Sequence, residues 1–253
     1  MTSRTDPVRI AVVYPSVLGT YGDGGNAVVL AQRLRWRDIA AETVPVEIGD
    51  PLPGEVDAYV LGGGEDSAQA LAVSRLADGA LRRAVERGST VFAVCAGFQI
   101  IGETWLTGAG EVHPGLGLID CRTDRLDGPR AVGELLVEAT LPDVGTLTGY
   151  ENHGGRTVLG PDARPLGGVT AGIGNGDGAA DGAVQGNVVA TYLHGPALAR
   201  NPALADELLR RIVGTLAPLD DREEQELHDE RVRAGATSRL RRRRQWRPPA
   251  REH

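Results

Sequence analysis

One segment constrains this chain more than any other: Thr90-Val-Phe-Ala-Val-Cys95-Ala-Gly97-Phe-Gln99-Ile-Ile-Gly102. A β-branched, apolar run ends at a cysteine, small residues follow, and the pattern then turns helical. A strand that turns straight into a helix at a thiol leaves the sulfur on a bent backbone, facing the free N–H groups of the helix's first turn. That geometry offers access, stabilisation of a thiolate by the helix N-terminus, and donors for an oxyanion. It is the layout of the strand–nucleophile–helix elbow of serine hydrolases, with sulfur in place of oxygen. A packed core cysteine is the bland alternative. It fits Cys121, which lacks this context, better than Cys95.

The rest of the first half repeats the alternation. Val8–Tyr14 reads as a buried strand, Gly19–Gly25 as a loop, and Asn26 to Ile39 as a helix with Asn26 as N-cap. Thr43–Ile48 reads as a strand placed at an edge by Pro45, and Val56–Leu61 as a short strand running into Gly62-Gly63-Gly64. Ser67–Arg87 reads as one helix closed by Gly88. Strand–helix alternation predicts an α/β fold, a mostly parallel sheet with helices on both faces. Ligands in such sheets bind beyond the carboxyl ends of the strands, where Gly62–Gly64 and Cys95 both fall.

The second half is richer in strands and glycine. Ala131–Thr140, Leu147–Glu151 and Val188–Leu193 read as strands, the last delivering His194, and Gly172–Gly178 as a flexible loop. Asn201-Pro202 opens a final helix, with Asn as N-cap and Pro at the first helical position. Beyond about Pro218 the composition changes to an acidic stretch and then the basic run Arg241–Arg244. We therefore divide the chain into a folded domain, 1–217, and a charged tail, 218–253. The tail reads first as a solvated or partly helical appendage, and more sharply as a docking arm for an acidic partner, a membrane surface or nucleic acid.

Composition narrows the function classes. A formal net charge of −7 argues against a general nucleic-acid binder. No apolar run approaches a membrane span and no secretory leader is legible. With only two cysteines, a reduced, cytoplasmic setting is expected. Neither Cys-x-x-Cys nor His-x-x-x-His spacing occurs around the candidate site, so a metal site is not expected. A cysteine nucleophile needs a base. His194, in Thr191-Tyr-Leu-His-Gly-Pro196, ends a strand on the sheet edge where Cys95 emerges, which makes it the preferred one. His153 is balanced between a substrate-side and a structural role. His113 sits in a turn, and His228 and His253 lie in the tail.

Together, Val94-Cys95-Ala-Gly-Phe-Gln99, Gly62-Gly63-Gly64 and Tyr192-Leu-His194-Gly195 resemble the class I glutamine amidotransferase domain. Glu151-Asn-His153-Gly-Gly-Arg-Thr157 and Tyr21-Gly-Asp23-Gly-Gly-Asn26 are similar to the GatD group of stand-alone subunits, related to the amidotransferase domains of cobyric acid synthases. The resemblance spans roughly Val8 to Gly214. It implies that Cys95 attacks the side-chain amide of L-glutamine, with His194 moving the proton. It also implies that Gly63 and Ala96 hold the oxyanion, and that Gln99 and Arg130 bind the substrate. It implies a heterodimer with a MurT-like Mur-ligase subunit that carries ATP and Mg and amidates the D-glutamate of lipid II. No cofactor is then expected in this chain, and the lipid-linked acceptor would bring a cytoplasmic protein to the inner face of the membrane.

The chain departs from the class I pattern in two places. Pro196 stands where the family commonly carries the triad carboxylate, so a partner-supplied acid is the expectation. Ala93 stands where many relatives have Gly, a change small enough for the elbow. Competing readings are an amidotransferase subunit for a corrinoid acid, a stand-alone α/β cysteine hydrolase, and a non-catalytic regulatory subunit.

Overall fold

The computed structural model describes residues 6–245. The first half alternates as its apolar pattern dictates: β1 (Val8–Val13), α1 (Gly25–Arg35), β2 (Ala41–Val46), β3 (Ala58–Leu61), α2 (Asp66–Leu76), α3 (Ala80–Glu86), β4 (Thr90–Val94) and α4 (Ala96–Ile101). A strand-rich stretch follows, with β5 (Thr104–Leu106), β6 (Val112–Pro114), β7 (Cys121–Arg125), β8 (Ala131–Ala139), β9 (Thr146–His153) and β10 (Gly155–Leu159). Next come β11 (Gly167–Ala171), β12 (Ala180–Asp181), β13 (Ala183–Gln185) and β14 (Val188–Thr191). The chain closes on α5 (Ala197–Arg200), α6 (Pro202–Val213) and α7 (Arg222–Gln245).

The main sheet runs β13-β14-β4-β3-β1-β2 and is parallel except for the β13–β14 pair. Every residue of β3, β4 and β14 is buried. Hence these strands read as continuous apolar runs instead of alternating ones. Burying each Val, Leu or Phe there stabilises the fold by about 1.5–3 kcal/mol. β2 lies at the sheet edge, where the missing N–H of Pro45 costs nothing. Two smaller sheets, β10-β7-β5-β6 and the antiparallel β12-β11-β8-β9, form the second half. They add to the single parallel sheet that alternation alone predicts.

Four local readings are corrected. The helix expected over 67–87 breaks at Gly79, which adopts φ +75°, and Asp78 Oδ1 accepts the Ala80 N–H to start α3. Asn26 does not cap α1, which is preceded by Gly24. Its buried side chain donates to the Asp23 carbonyl and accepts from Leu198 N, tying the preceding loop to α5. Asn201 does precede α6, but its side chain bonds Thr148 and Ala197 in place of the helix's own amides. The Gly172–Gly178 segment is tethered, because Glu151 accepts from Ile173 N and Gly174 N and Asn175 pairs with Gly182.

The charged tail is also more ordered than its composition suggests. α7 packs on β8, β9, β11 and α5. Asp221 joins Asp206 around the buried Arg33 guanidinium just before it begins. Gly235 lies so close to Leu136 that a Cβ there would sit 3.0 Å from its side chain. A small residue at one contact and a buried ion-pair cluster at the other do what an apolar stripe would ordinarily do. The Arg241–Arg244 side chains and His253 lie outside the described residues.

Candidate active site

Cys95 is the residue between β4 and α4, and its backbone sits at φ 52°, ψ −106°, outside the ordinary regions for an L-residue. Such a conformation costs on the order of 1–3 kcal/mol and survives only when the surroundings fix it. Here they do. The Cys95 N–H donates to Thr191 O of β14, its carbonyl accepts from Gln99 N, and Gly97 N donates to Gly62 O. Gly97 has no room for a side chain, since a Cβ would lie 2.8 Å from Leu61 O. Ala96 opens α4, so its N–H has no intrahelical acceptor.

His194 follows the end of β14, held by an antiparallel bridge to Tyr150, and is buried. Its Nδ1 meets Asp23 Oδ2 at 3.0 Å. The third member of the cysteine–histidine couple therefore comes from this chain, from the loop after β1. This corrects the expectation, drawn from Pro196, of an acid supplied by a partner. The acid stands 171 residues away from the histidine it serves. The available signal was its place beyond the carboxyl end of a central parallel strand. Among the described residues, Nε2 of His194 has no hydrogen-bond partner, and it is the nitrogen left for the Cys95 thiol. Burial lowers the affinity of this imidazole for its proton. The Asp23 carboxylate on Nδ1 and the Cys95 sulfur nearby outweigh burial and push its pKa up to about 9.

These groups converge on Gly63. A Cβ there would lie 2.8 Å from His194 Cε1, 3.2 Å from Asp23 Oδ2 and 3.6 Å from Cys95 Cβ. Four strand ends thus meet at one point: β1 supplies Asp23, β3 Gly63, β4 Cys95 and β14 His194. The Gly63 N–H points at Asp23 Oδ2, 2.9 Å away. In this state the amide is spent on the triad acid, so its expected oxyanion role requires it to turn away from Asp23. Ala96 has its N–H at the turn and needs no such change.

Cys95, Gln99 and Arg130 line one cavity of about 470 Å³, together with Gln69, Arg125 and His153. Gln99 sits one turn after Cys95. Its Oε1 accepts from Gln69 Nε2 at 2.5 Å, and its Nε2 donates to Tyr192 Oη at 3.3 Å. Arg130, immediately before β8, donates from Nε to Asn152 Oδ1 and from Nη2 to the Asn152 carbonyl at 3.0 Å. Among the described residues, its Nη1 makes no hydrogen bond.

His153 is buried, stacks on Tyr192 with ring centroids 3.8 Å apart, and donates from Nδ1 to the Gly155 carbonyl. Its Nε2 lies 3.6 Å from Glu151 Oε2, too long for a good hydrogen bond. Cys121 is a packed thiol as read, with burial pushing its pKa up to about 12. His113 stacks on Trp105, and His228 bonds the Arg200 carbonyl through Nδ1. Among the described residues, no group of three or more His, Cys, Asp or Glu side chains is arranged to hold a metal ion. No helix among them is long and apolar enough to cross a membrane.

Comparison with known proteins shows the family. Residues 9–202 match the model of the CobB/CobQ-like glutamine amidotransferase domain. The chain belongs to that family. It is 35% identical over 198 residues to the lipid II isoglutaminyl synthase (glutamine-hydrolyzing) subunit GatD of Staphylococcus aureus, covering 77% of this chain and 79% of that one. To the subunit of the same name from Streptococcus pneumoniae it is 31% identical, covering 80% and 79%. A cobyric acid synthase of Sphingopyxis alaskensis is 34% identical over 68% of this chain but only 35% of its own length. Among solved structures, a glutamine amidotransferase aligns over 81% of this chain with a TM-score of 0.57 at 22% identity, a likeness of fold. PurLQS from Thermotoga maritima aligns over 82% with a TM-score of 0.52 at 18% identity, again a likeness of fold.

Proposed function

We propose that this chain hydrolyses L-glutamine through a Cys95 thioester and supplies the ammonia to an ATP-dependent, MurT-like ligase subunit that amidates the D-glutamate α-carboxyl of lipid II. The observation that carries the chemistry is the convergence of sulfur, imidazole and carboxylate on Gly63 inside a family of glutamine amidotransferases. The choice of acceptor is supported by the two GatD relatives, which are matched over most of their own length.

The steps follow from the positions of the atoms. With its proton moved to His194 Nε2, the Cys95 sulfur attacks the side-chain carbonyl carbon of glutamine, and the carbonyl oxygen takes the negative charge. The Ala96 N–H receives that oxygen, joined by the Gly63 N–H once it leaves Asp23. Collapse breaks the carbon–nitrogen bond, the imidazolium gives its proton to the leaving nitrogen, and ammonia departs from a glutamyl thioester. His194 then takes a proton from water as that water attacks the thioester, releasing glutamate and restoring the thiol. Asp23 keeps the Nδ1 proton in place throughout and stabilises the imidazolium. Arg130 offers its Nη1–Nη2 end to the substrate α-carboxylate.

The test is glutamate release from L-glutamine by the purified chain, with and without the ligase subunit, for wild type and Cys95→Ala. We expect wild type to release glutamate, mass spectrometry to find the glutamyl adduct on Cys95, and the variant to do neither. Hydrolysis of other amides or esters with no preference for glutamine would replace this reading with a stand-alone hydrolase.

A further inference from the structure

We infer that Asn152 and Tyr21 are positioning residues that couple the carboxylate-binding arginine to the catalytic histidine. Three contacts define the path. Arg130 Nε donates to Asn152 Oδ1, and Asn152 Nδ2 donates to the Tyr21 hydroxyl. The Tyr21 ring then lies against the His194 imidazole, with centroids 4.8 Å apart. Each atom of the Asn152 amide is thus used once, oxygen toward the arginine and nitrogen toward the tyrosine. The carbonyl of the same residue accepts a second Arg130 hydrogen bond at 3.0 Å.

The register makes this possible. Asn152 pairs with Val132 across β9 and β8, which puts its side chain beside Arg130 at the start of β8. Holding Nε and Nη2 fixes the plane of the guanidinium and leaves its other end for a carboxylate, so less rotamer freedom is lost on binding. At the other end, Tyr21 stands in the loop that carries Asp23, with a left-handed φ of 63° that a non-glycine residue adopts only when held. Two other contacts anchor the same loop to the β3 end, Thr20 N to Gly63 O at 3.1 Å and Gly63 N to Asp23 Oδ2. Tyr21 is half exposed, so solvent would otherwise reach the face of the imidazole that it covers. Whatever moves Arg130 when the substrate carboxylate arrives therefore pulls on the loop that sets Asp23 and His194.

This inference rests on the glutamine-hydrolysing reading, and its experiment separates the two. Initial rates are measured with the full chain and its ligase partner on L-glutamine and on 4-aminobutanamide, which keeps the amide and lacks the α-carboxylate. Asn152→Ala is expected to raise KM for glutamine about tenfold and to lower kcat for glutamine as Tyr21→Phe does, while leaving kcat/KM for 4-aminobutanamide within about twofold. Combining it with Arg130→Ala should cost no more than Arg130→Ala alone, because the two act as one unit. Tyr21→Phe, which keeps the ring and removes the acceptor, should lower kcat for glutamine about threefold to tenfold with a smaller change in KM. Equal losses on both amides from Asn152→Ala, or multiplying losses in the double variant, would overturn the inference while leaving glutamine hydrolysis intact. A wild type that hydrolyses neither amide overturns the glutaminase reading and takes this inference with it. Thermal unfolding of each variant is run alongside, and Asn152→Gln substitutes should Asn152→Ala fail to fold.

Discussion

Two buried histidine–carboxylate pairs lie within this site, at the ends of different strands, and only one is built as a base. His194 meets Asp23 through Nδ1 at 3.0 Å, which leaves Nε2 toward the sulfur. His153 spends Nδ1 on the Gly155 carbonyl and stands 3.6 Å from Glu151 through Nε2. Glu151 in turn spends its oxygens on the Ile173 and Gly174 amides. The first pair is arranged to hold a proton beside the Cys95 sulfur. The second ties a glycine-rich turn to β9 and props the Tyr192 ring. A carboxylate near a histidine is therefore not the signature of a general base; what matters is which ring nitrogen it takes and what the other one faces.

The broadest way to break this contrast is to delete each ring. His194→Ala and Cys95→Ala should each reduce glutamine hydrolysis by about a thousandfold or more, whereas His153→Gln should retain activity within about tenfold. Comparable losses at both histidines, measured as kcat/KM, would mean the two pairs are not distinct in role. Next in size is Asp23→Asn, which preserves shape but not the tautomer and should lower kcat by about 10²–10⁴. An Asp23→Asn enzyme as active as wild type would return the third carboxylate to a partner subunit. Gly63→Ala should cost about a hundredfold, because its Cβ would press on the His194 ring, and a crystal structure would show that ring displaced. Glu151→Gln belongs to the other pair and should act on stability instead. It weakens a buried acceptor of two backbone amides, so unfolding in denaturant should report a loss of about 1–3 kcal/mol with kcat little changed.

The contrast also marks what the chain discloses without coordinates. β1, β3, β4 and the elbow at Cys95 are legible because their side chains are buried on both faces and their glycines punctuate the turns. His194 is legible because it ends an apolar strand. Asp23 is not, because a short acid in a glycine-rich loop more often bonds its own backbone. Only the parallel pairing of β1 with β3 brings it across to His194. The packing of α7 is illegible for a similar reason. Its order comes from Asp221 at the buried Arg33 and from the missing side chain of Gly235, neither of which leaves an apolar periodicity. The same holds for Asn26, whose amide serves a tertiary contact at Leu198 where local propensity would make it a cap.

The smallest effect is the one that tests the electrostatics directly. His194 has a folded-state pKa of about 9 against an ordinary value of 6.5, because the Asp23 carboxylate on Nδ1 and the Cys95 sulfur nearby outweigh burial. A histidine raised on folding gives its full stabilisation below the unfolded value and loses it as pH climbs through the folded one. Wild-type stability should therefore fall between about pH 6.5 and 9, and His194→Gln should flatten that part of the curve. Asp23→Asn removes the leading contribution that holds the proton on, so its decline should still begin near pH 6.5 but end at lower pH, with a smaller total loss. Activity should follow the same group, since the imidazolium must protonate the departing nitrogen. kcat/KM should then drop above about pH 9 in wild type and at lower pH in Asp23→Asn. A decline that stays in place when Asp23 is neutralised would show that the proton on His194 is held by something other than this carboxylate.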